Sequence, residues 1–451
     1  MIDPRHRSTA AGPRRADLIE AAYDDVRLSD GRVALRPWRV ADAPLMAAAC
    51  ADPNIALYCM MPAGYTETLA RDFIADAPRA WRDDGWLHLA LTLWGDDRPL
   101  GAVGVLAIDR GSKSAELGYW VMPEHRRRGL ARAGVSLITD WAFETLHLRR
   151  LAIGTMVGNE PSRRIARALG YRPEALFRSY RELGERRTDC VSYSLLREEW
   201  LARRATDGGG ASGGGASGGP DAANGGGGGS GAAPPGEADG SDALLPDEIL
   251  LPALTAARAD YPTVAPTLPT APPLLGDGTI ILRPYAEADI PDLVRACNDP
   301  ETRRWIAVLP EPYTVADARE FLAPAADGWE RKYDALYCIA DAATDRLLGG
   351  VGLHGDEAWA GVAEIGYHVA PWARRRGVAT AAARLVAHWG LEVLGLARIQ
   401  ILADTRNAAS CGVATKLGFT REGLQRADHG REGDVGDHAV FSLLAGDPRP
   451  W

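Results

Sequence analysis

Two stretches of this chain decide its fold, "GYWVMPEHRRRGLA" at residues 118–131 and "GYHVAPWARRRGVA" at residues 366–379. Each passes from an apolar, strand-like segment through a proline and three arginines to a glycine, where a helical pattern begins. The start of a helix offers unpaired backbone N–H groups and the positive end of the helix dipole, which both suit a phosphate. A glycine there removes the side chain that would keep a ligand away from the backbone. The sequence therefore predicts a polyanion site at each turn.

The two turns belong to a much longer internal repeat. Residues 33–46 match residues 280–294, with Arg36-Pro37 over Arg283-Pro284 at an offset of 247. Residues 62–196 match residues 310–444 without a gap at an offset of 248. A repeat of this length is a whole domain present twice, not the unit of a solenoid. Within each copy the hydrophobic pattern predicts a strand, two helices, three strands, a helix, a strand, a helix and two strands.

The sequence between and before the copies has a different composition. A tract rich in glycine and serine begins at residue 205, and a proline-bearing stretch with an expected short helix at residues 250–258 follows it. Such segments bury too little apolar surface to offset the entropy lost on ordering. The predicted organisation is a disordered N-terminal tail at residues 1–27, a first domain at 28–204, a disordered linker at 205–273 and a second domain at 274–447.

Bulk composition limits the classes of function. The net charge of −9 over 451 residues argues against a general nucleic-acid or membrane surface. The six cysteines show no C-x-x-C pair and no spacing suited to zinc, so we expect reduced thiols in the cytoplasm and no metal. The sequence shows no signal-peptide pattern at its start and no apolar run approaching the ~18 residues of a spanning helix.

Six short motifs, in the same order in both copies, resemble the GCN5-related N-acetyltransferases (GNAT). The pattern R-x-x-G-x-A resembles the pyrophosphate-binding motif of that family, and "LRP", "AE[LI]GY", "N-x-x-S", "LG[YF]" and "D-x-x-x-[YF]-SLL" accompany it. The set resembles the RimJ/RimL-like branch, which acetylates the N-terminal amines of ribosomal proteins. The resemblance implies an α/β (α+β) fold in each copy: a mixed, mostly antiparallel twisted sheet of six or seven strands with about four flanking helices.

The resemblance also implies a site for the acyl donor, acetyl-coenzyme A, in each copy. The pyrophosphate would rest on backbone amides of the turn, the pantetheine arm would run along the fourth strand, and an asparagine would hold its amide groups. The implied donor-binding residues are Val121, Arg126, Arg127, Arg128, Gly129, Leu130, Ala131, Arg132 and Asn159 in the first copy, and Val369, Arg374, Arg375, Arg376, Gly377, Val378, Ala379, Thr380 and Asn407 in the second. For Asn159 the alternative is an ordinary helix N-cap.

The chemistry of amine acetylation identifies candidates for a base. An amine of pKa about 10.4 is mostly protonated at pH 7, and removing that proton costs roughly 4 kcal/mol. A carboxylate acting directly or through water lowers this cost. Glu116 and Glu364, on the strand beside the donor, are the candidates. The alternative is that each carboxylate orders the strand or positions the amine.

The candidates for the acid are serines. Many relatives place a tyrosine seven residues after the asparagine to protonate the departing thiolate, but this chain has Ala166 and Ala414 there. Ser162 and Ser410, three residues after the asparagine, resemble the serine that the ribosomal-protein branch uses near the sulfur. A serine at this position of a helix is also commonplace, and water is then the alternative acid.

The implied function is transfer of an acetyl group from acetyl-coenzyme A to a primary amine, on a protein N-terminus or a small molecule. Two alternatives stay open: one half is a non-catalytic acyl-coenzyme A-binding regulatory or interaction domain, or the donor is succinyl- or another acyl-coenzyme A. Whether the two domains pair with each other is also open. Four positions expected on the acceptor side differ between the copies and predict different acceptors: Trp86 and Asp334, His88 and Leu336, Trp120 and His368, and Tyr180 and Asp428.

Overall fold

The structure, a computed structural model, describes residues 22–62, 64–183, 186–208, 269, 271–330, 334–355, 361–431 and 434–451. The first-half strands are β1 (Leu28–Ser29), β2 (Val33–Pro37), β3 (Leu87–Leu93), β4 (Asp96–Asp109), β5 (Ser114–Val121), β6 (Arg150–Met156), β7 (Arg172–Leu183) and β8 (Arg186–Leu196). The first-half helices are α1 (Ala43–Cys50), α2 (Pro53–Tyr58), α3 (Glu67–Arg79), α4 (Leu130–Glu144), α5 (Glu160–Ala168) and α6 (Arg197–Gly208).

The second half repeats this order. Its strands are β9 (Leu275–Gly276), β10 (Ile280–Arg283), β11 (Asp334–Asp341), β12 (Leu347–His354), β13 (Val362–Val369), β14 (Arg398–Asp404), β15 (Thr420–Arg431) and β16 (Asp434–Leu444). Its helices are α7 (Ile290–Cys297), α8 (Pro300–Trp305), α9 (Val315–Glu330), α10 (Val378–His388) and α11 (Ala408–Lys416).

The strands of both halves form one sheet, in the order β1-β2-β3-β4-β5-β6-β8-β7-β15-β16-β14-β13-β12-β11-β10-β9. Within each half neighbouring strands are antiparallel except for one parallel pair, β5 with β6 and β13 with β14. This confirms the predicted fold class of two mixed, mostly antiparallel domains. The predicted two helices after the first strand are three, because α2 and α8 have only six residues and are too short to show periodicity.

Helices cover both faces of the sheet in each half. In the first half α4 and α5 pack on one face around Val135, Ile138 and Ala166. Helices α1, α2 and α3 pack on the other face, against Ala90, Ala102 and Trp120 from β3, β4 and β5. The second half has the same two layers, with α10 and α11 on one face and α7 and α9 on the other. The face under α1–α3 and α7–α9 is called the acceptor face below.

Two boundaries differ from those expected. Tyr23 and Val26 are buried in the first-half core, and the Tyr23 hydroxyl donates to the carbonyl of His88 at 2.9 Å, so residues 22–27 belong to the domain rather than to a tail. Helix α6 extends to Gly208, into the start of the expected linker, because its amphipathic pattern continues from "REEWLARRA". The rest of the linker up to residue 268 and the expected helix at residues 250–258 lie outside the described residues, as do residues 1–21.

The two halves meet around a pseudo-twofold axis. Ala175 of β7 pairs antiparallel with Gly423 of β15, and these two residues occupy equivalent positions of the repeat. A Cβ at Gly423 would lie 2.2 Å from the carbonyl oxygen of Glu174, so the close approach of the backbones requires glycine there. The sequence left open whether the domains pair; in this structure they do, as the two copies of a symmetric dimer would.

A buried polar network crosses the axis and repeats on both sides of it. The Arg178 side chain donates to Ser442 Oγ at 2.6 Å and to Asp447 at 2.9 Å, and the equivalent Arg426 donates to Ser194 Oγ at 2.6 Å and to Glu199 at 2.7 Å. Beneath them lie two fully buried pairs within the halves, Arg150 with Glu174 and Arg398 with Glu422. Each buried carboxylate is thus shared between its own arginine and one from the other half.

One expectation about the acceptor side is corrected by this network. Asp428 lies 3.1 Å from Arg150 of the first half, and the Tyr180 ring lies 5.5 Å from the guanidinium carbon of Arg398 of the second half. Both side chains therefore bind across the interface between the halves instead of lining a half's own acceptor side. Sequence alone does not distinguish a hairpin strand that pairs with a second domain from one that borders a substrate.

Candidate functional site

The arginine-rich turn has the backbone of an anion site in both halves. Arg127 and Gly129 have φ angles of 63° and 74°, and the equivalent Arg375 and Gly377 have φ angles of 58° and 79°. Each glycine is the N-cap of the following helix, α4 or α10, in the left-handed region that favours glycine. Backbone of alternating hand at the start of a helix makes a concavity of N–H groups that binds anions.

The first arginine of the turn has a different task. Arg126 forms a 2.7 Å ion pair with Asp52, the N-cap of α2, and its Nε donates to the carbonyl of Val121 at 3.0 Å. Arg374 repeats both interactions, with Asp299 and with Val369 at 3.3 Å. These bonds fasten the turn to the end of the strand and to the neighbouring helix. Donor binding by Arg126, Arg374 and the two valines stays a prediction.

The space in front of each turn fits a phosphate-bearing donor. Apart from the adjoining residues of the chain, no described heavy atom lies within 4 Å of the position that a Cβ would take on Gly377, and at Gly129 only the guanidinium of Arg32 does, at 3.5 Å. The second and third arginines of each turn are exposed, and they are Arg127, Arg128, Arg375 and Arg376. A small cavity beside the second turn is lined by Leu348, Gly377 and Ala381 among others. The turn thus offers an open, positively charged cradle.

A slot opens between two strands beside the turn. The parallel strands β5 and β6 pair from Ser114 with Arg150 to Glu116 with Ala152, and β13 and β14 pair from Val362 with Arg398 to Glu364 with Gln400. The paired register of both stops there, although β5 continues to Val121 and β13 to Val369. The strands therefore diverge immediately after the two glutamates. Such a gap between strand edges leaves room for the extended arm of a donor.

The two glutamates lie at the closed end of this slot, on the acceptor face. Glu116 shares that face with Trp120, which packs against α1 and α3. In the second half Gln400 Nε2 donates to Glu364 Oε2 at 3.1 Å, whereas Ala152 is the residue paired with Glu116. The predicted bases therefore occupy equivalent places with different neighbours.

The two candidate serines lie on the opposite side of the slot, and each is bonded to a tyrosine. Ser162 Oγ is 2.8 Å from the Tyr119 hydroxyl, and Ser410 Oγ is 2.9 Å from the Tyr367 hydroxyl. Burial raises the pKa of both tyrosines to about 12, so each keeps its proton in neutral solution. Sequence reasoning missed these tyrosines, although they are the "GY" of "AE[LI]GY" and could have been paired with the serines by their recurrence.

The asparagines cap helices as well as bordering the slot. Asn159 Oδ1 accepts from the backbone N–H of Ser162 at 3.3 Å, and Asn407 Oδ1 accepts from that of Ser410 at 3.1 Å. This is the N-cap arrangement that was the alternative for Asn159. It fixes the position of each serine relative to its strand. The amide nitrogen of each asparagine and the second lone pair of its Oδ1 are the groups that a contact with the donor could use.

The acceptor face carries the differences between the halves. In the first half the His88 ring lies 5.0 Å from Phe73 and 5.8 Å from Trp86, while Trp120 stacks on Trp38 at 6.1 Å. Burial lowers the pKa of His88 to about 4, so the imidazole is neutral. Among the described residues, His88 Nε2 and Trp38 Nε1 are buried without a hydrogen-bond partner. Around His88 and Trp120 this face of the first half is aromatic and uncharged.

The second half is polar at the same place. Asp334 Oδ1 lies 3.0 Å from His354 Nδ1, and His354 pairs across the strands with Glu364. His368 replaces the stacked tryptophan, and burial lowers its pKa to about 4. The described residues contain no group of three or more His, Cys, Asp or Glu placed to hold a metal ion. The predicted difference between the acceptor sides is thus one of charge as well as of volume.

Known proteins share this arrangement. The sequence model of the "Acetyltransferase (GNAT) domain" matches residues 32–172 and 279–420, more than half of the chain. The chain belongs to the GNAT acetyltransferase family. It is an acyl-coenzyme A-dependent N-acetyltransferase with two GNAT domains in tandem, as the motifs predict.

Individual relatives match about one domain's length of this chain. "Putative ribosomal N-acetyltransferase YdaF" of Bacillus subtilis is 31% identical over 134 residues, which are 30% of this chain and 72% of YdaF. "Uncharacterized N-acetyltransferase p20" of Bacillus licheniformis is 26% identical over 169 residues, 38% of this chain and 95% of p20. Among solved structures, Mycobacterium smegmatis RimJ in complex with CoA-disulfide is 25% identical, with 41% of this chain and 93% of RimJ covered and a TM-score of 0.36. In the described part of the chain, every helix is too short or too polar to cross a membrane.

Proposed function

We propose that each half binds one acetyl-coenzyme A and transfers its acetyl group to a primary amine, and that the acceptors are protein N-termini. The observation that carries the proposal is that turn, slot, glutamate and Tyr–Ser pair recur in equivalent positions of both halves. The acceptor class is supported by the name of one relative with 31% identity, "Putative ribosomal N-acetyltransferase YdaF". An N-terminal amine fits the chemistry because it is a weaker base than a lysine and loses its proton more easily.

The donor is held by the residues of the turn and the slot. The backbone of Arg127–Arg132 and of Arg375–Thr380 receives the pyrophosphate, with the exposed arginine side chains beside it. The pantetheine arm lies in the gap where β5 and β6, or β13 and β14, diverge. This places the thioester near the closed end of the gap, between the glutamate on one face and the serine on the other.

Each half then has a base and an acid on opposite sides of the thioester. Glu116 or Glu364 takes a proton from the acceptor ammonium, and the neutral amine attacks the carbonyl carbon. The C–S bond breaks, and Ser162 or Ser410 gives its hydroxyl proton to the thiolate. The bonded Tyr119 or Tyr367, protonated because of its raised pKa, replaces that proton. The glutamate and the amide nitrogen each release one proton to solvent and the tyrosinate takes one back. Each transfer therefore gives the amide, the free thiol of coenzyme A and one net proton.

Mass spectrometry of a peptide and amine library tests the proposal. The full-length protein is incubated with acetyl- and succinyl-coenzyme A in separate reactions, and so are the variants Gly129→Glu and Gly377→Glu, in each of which one turn is blocked. With each of the three proteins, peptides of the library are expected to gain the mass of one acetyl group at their free N-terminal amine. A gain of the mass of one succinyl group instead would identify succinyl-coenzyme A as the donor. A variant that binds donor and transfers nothing would make its intact half a regulatory domain.

A further inference from the structure

A row of four polar side chains crosses the acceptor face of the second half. Asp334, His354, Glu364 and Gln400 are consecutive cross-strand partners on β11, β12, β13 and β14. Hydrogen bonds link both ends of the row: Asp334 to His354 at 3.0 Å, and Gln400 to Glu364 at 3.1 Å. Directly opposite residues on one face of a sheet have Cβ atoms about 4.5–5.5 Å apart, which places the His354 ring beside the Glu364 carboxylate.

The imidazole of His354 lies close to two paired glycines. A Cβ on Gly366 would lie 3.1 Å from His354 Nε2, and a Cβ on Gly352 would lie 3.4 Å from it. Nε2 is therefore over β12 and β13, while Nδ1 is toward Asp334. Since Asp334 accepts from Nδ1–H, the lone pair of the neutral ring is on Nε2, the atom over the two glycines. The His354 side chain is 39% exposed, so the ring also reaches water.

The first half has no equivalent of this row at the same positions. Trp86, Leu106 and Ala152 stand where Asp334, His354 and Gln400 stand in the second half. The first half does place an imidazole over the matching glycine, because a Cβ on Gly104 would lie 3.2 Å from His88 Nδ1. That histidine comes from the neighbouring strand β3 and is buried among aromatic rings. Equivalent glycines of the two halves are thus covered by different histidines, His88 among aromatic rings and His354 beside carboxylates.

We propose that His354 is a proton-relay residue of the second half, that Asp334 positions its ring, and that Gln400 positions the Glu364 carboxylate. The relay rests on the proposed function of Glu364 as base. Glu364 takes one proton from the acceptor ammonium, His354 takes that proton at Nε2, and the imidazolium gives it to water. The carboxylate is then regenerated before the second N–H proton has to leave. Leu106 and Trp86 cannot perform this step, so the first half returns its proton to water directly.

The charges around His354 favour this role. Burial acts to lower its pKa, but the hydrogen bond to Asp334 and the charges of Asp334 and Glu364 raise the pKa above the usual value of an imidazole. The two carboxylates are the charged groups whose field reaches the ring from β11 and β13. A raised pKa makes the His354 ring a better proton acceptor than an ordinary imidazole, which suits it to take a proton from a neighbouring group.

The test uses the full-length chain with Gly129→Glu, so that only the second half turns over. His354→Leu installs the residue of the first half, and kcat/KM for a peptide with a free N-terminal serine or alanine is measured between about pH 6 and pH 9. The expected result is a loss on the order of 10²-fold with KM for acetyl-coenzyme A unchanged. The acidic limb of the pH profile disappears, and free imidazole in the buffer restores part of the rate.

Two further variants make the outcome specific. Asp334→Asn is expected to shift the acidic limb to lower pH, because the carboxylate that raised the pKa is gone. His388→Leu, at an exposed histidine of α10, is the matched control and is expected to leave rate and profile unchanged. If His354→Leu loses its fold by circular dichroism, His354→Gln takes its place.

Each result decides the proposal. A His354→Leu protein that keeps both kcat/KM and the acidic limb overturns the relay, while its continued acetyl transfer leaves the proposed function intact. A Gly129→Glu chain that binds acetyl-coenzyme A and acetylates no peptide or amine refutes the proposed function of the second half, and the relay with it.

Discussion

The two halves of this protein agree on one side of the sheet and differ on the other. The turn, the slot and the Tyr–Ser pair match position by position, down to the left-handed backbone at Arg127 and Arg375. The acceptor face is aromatic and uncharged around His88 but carries Asp334 and His354 in the second half. In the proposed function both halves bind the same kind of donor, which would keep the donor side constant, whereas the donor places no such constraint on the acceptor face. On that proposal the repeat has kept the donor site twice while the acceptor face has diverged.

The largest effect is expected from blocking one of the matching turns. Gly129→Glu and Gly377→Glu each place a negative side chain in the phosphate cradle, on a backbone that favours glycine. Each is expected to remove one of two acetyl-coenzyme A sites, so that the stoichiometry in calorimetry falls from two to one. Gly395→Glu is the control, because Gly395 has a similar φ of 74° and open space but lies outside the turn.

A wild-type stoichiometry near one would contradict the claim of two competent donor sites. Equal backbone geometry at the two turns would then not give equal donor binding. The variant that lowers the remaining binding would identify the competent half.

The next largest effect is expected at the serines. Ser162→Ala and Ser410→Ala each remove the hydroxyl that protonates the thiolate, and loss of one such group typically costs 10²–10⁴-fold in rate. The kcat of each half is measured in full-length protein whose other turn is blocked, with donor affinity as the control. Tyr119→Phe and Tyr367→Phe are expected to lower kcat less, because each serine still holds its own proton.

The loss of kcat in Tyr119→Phe and Tyr367→Phe should be the same from about pH 6 to pH 9. The pKa of each tyrosine is raised to about 12, so the hydroxyl stays protonated over that range. Serine variants that keep full kcat would show that water is the acid. A loss in one half alone would show that the matching Tyr–Ser geometry no longer implies matching chemistry.

The sequence predicted what local pattern controls. The strand–turn–helix at Gly129 and Gly377 and the succession of strands along the chain follow from short-range spacing and glycine chemistry, and the structure has them. The cap at Asn159 was the alternative to donor contact for that residue, and the structure shows the cap. The short helix α2 and the role of Arg126 escaped, because Asp52 is 74 residues away from that arginine. The symmetric interface escaped for the same reason, since Arg178 and Glu422 are 244 residues apart. Pairs at such separation have no local signature.

The third-largest effect is expected on stability, from loss of the buried network between the two halves. Arg426→Met removes the partner that Glu174, Ser194 and Glu199 share across the axis, and breaking a buried ion pair costs about 3–5 kcal/mol. Arg178→Met is expected to cost a similar amount, because the pseudo-twofold axis relates the two sites. The free energy of unfolding is measured by denaturant titration of the full-length protein.

Arg204→Met is the matched control, since Arg204 pairs with Glu144 on the surface at 52% exposure of each side chain. Exposed pairs contribute about 0–1 kcal/mol. A cost for Arg426→Met as small as that of the control would show that the halves do not depend on this network, and the comparison between them would then concern two independent domains.

The smallest effect is expected on the preference of each half among acceptor peptides. Trp86→Asp gives the first half the charge that Asp334 gives the second, beside the neutral His88 at 5.8 Å. A single favourable interaction in a binding pocket changes discrimination between substrates by about 1–3 kcal/mol, or ~10–200-fold. We expect the first half with Trp86→Asp to gain in kcat/KM on peptides with a basic residue after the acceptor amine and to lose in kcat/KM on peptides with an apolar one.

The acceptor profiles with and without Trp86→Asp are measured with one peptide library and full-length protein whose second turn is blocked. Trp94→Asp, at a tryptophan that is 62% exposed, is the control for the same substitution elsewhere. If the unmodified halves already share one acceptor profile with similar kcat/KM, the difference between the acceptor faces has no bearing on specificity, and the duplication only doubles the number of active sites.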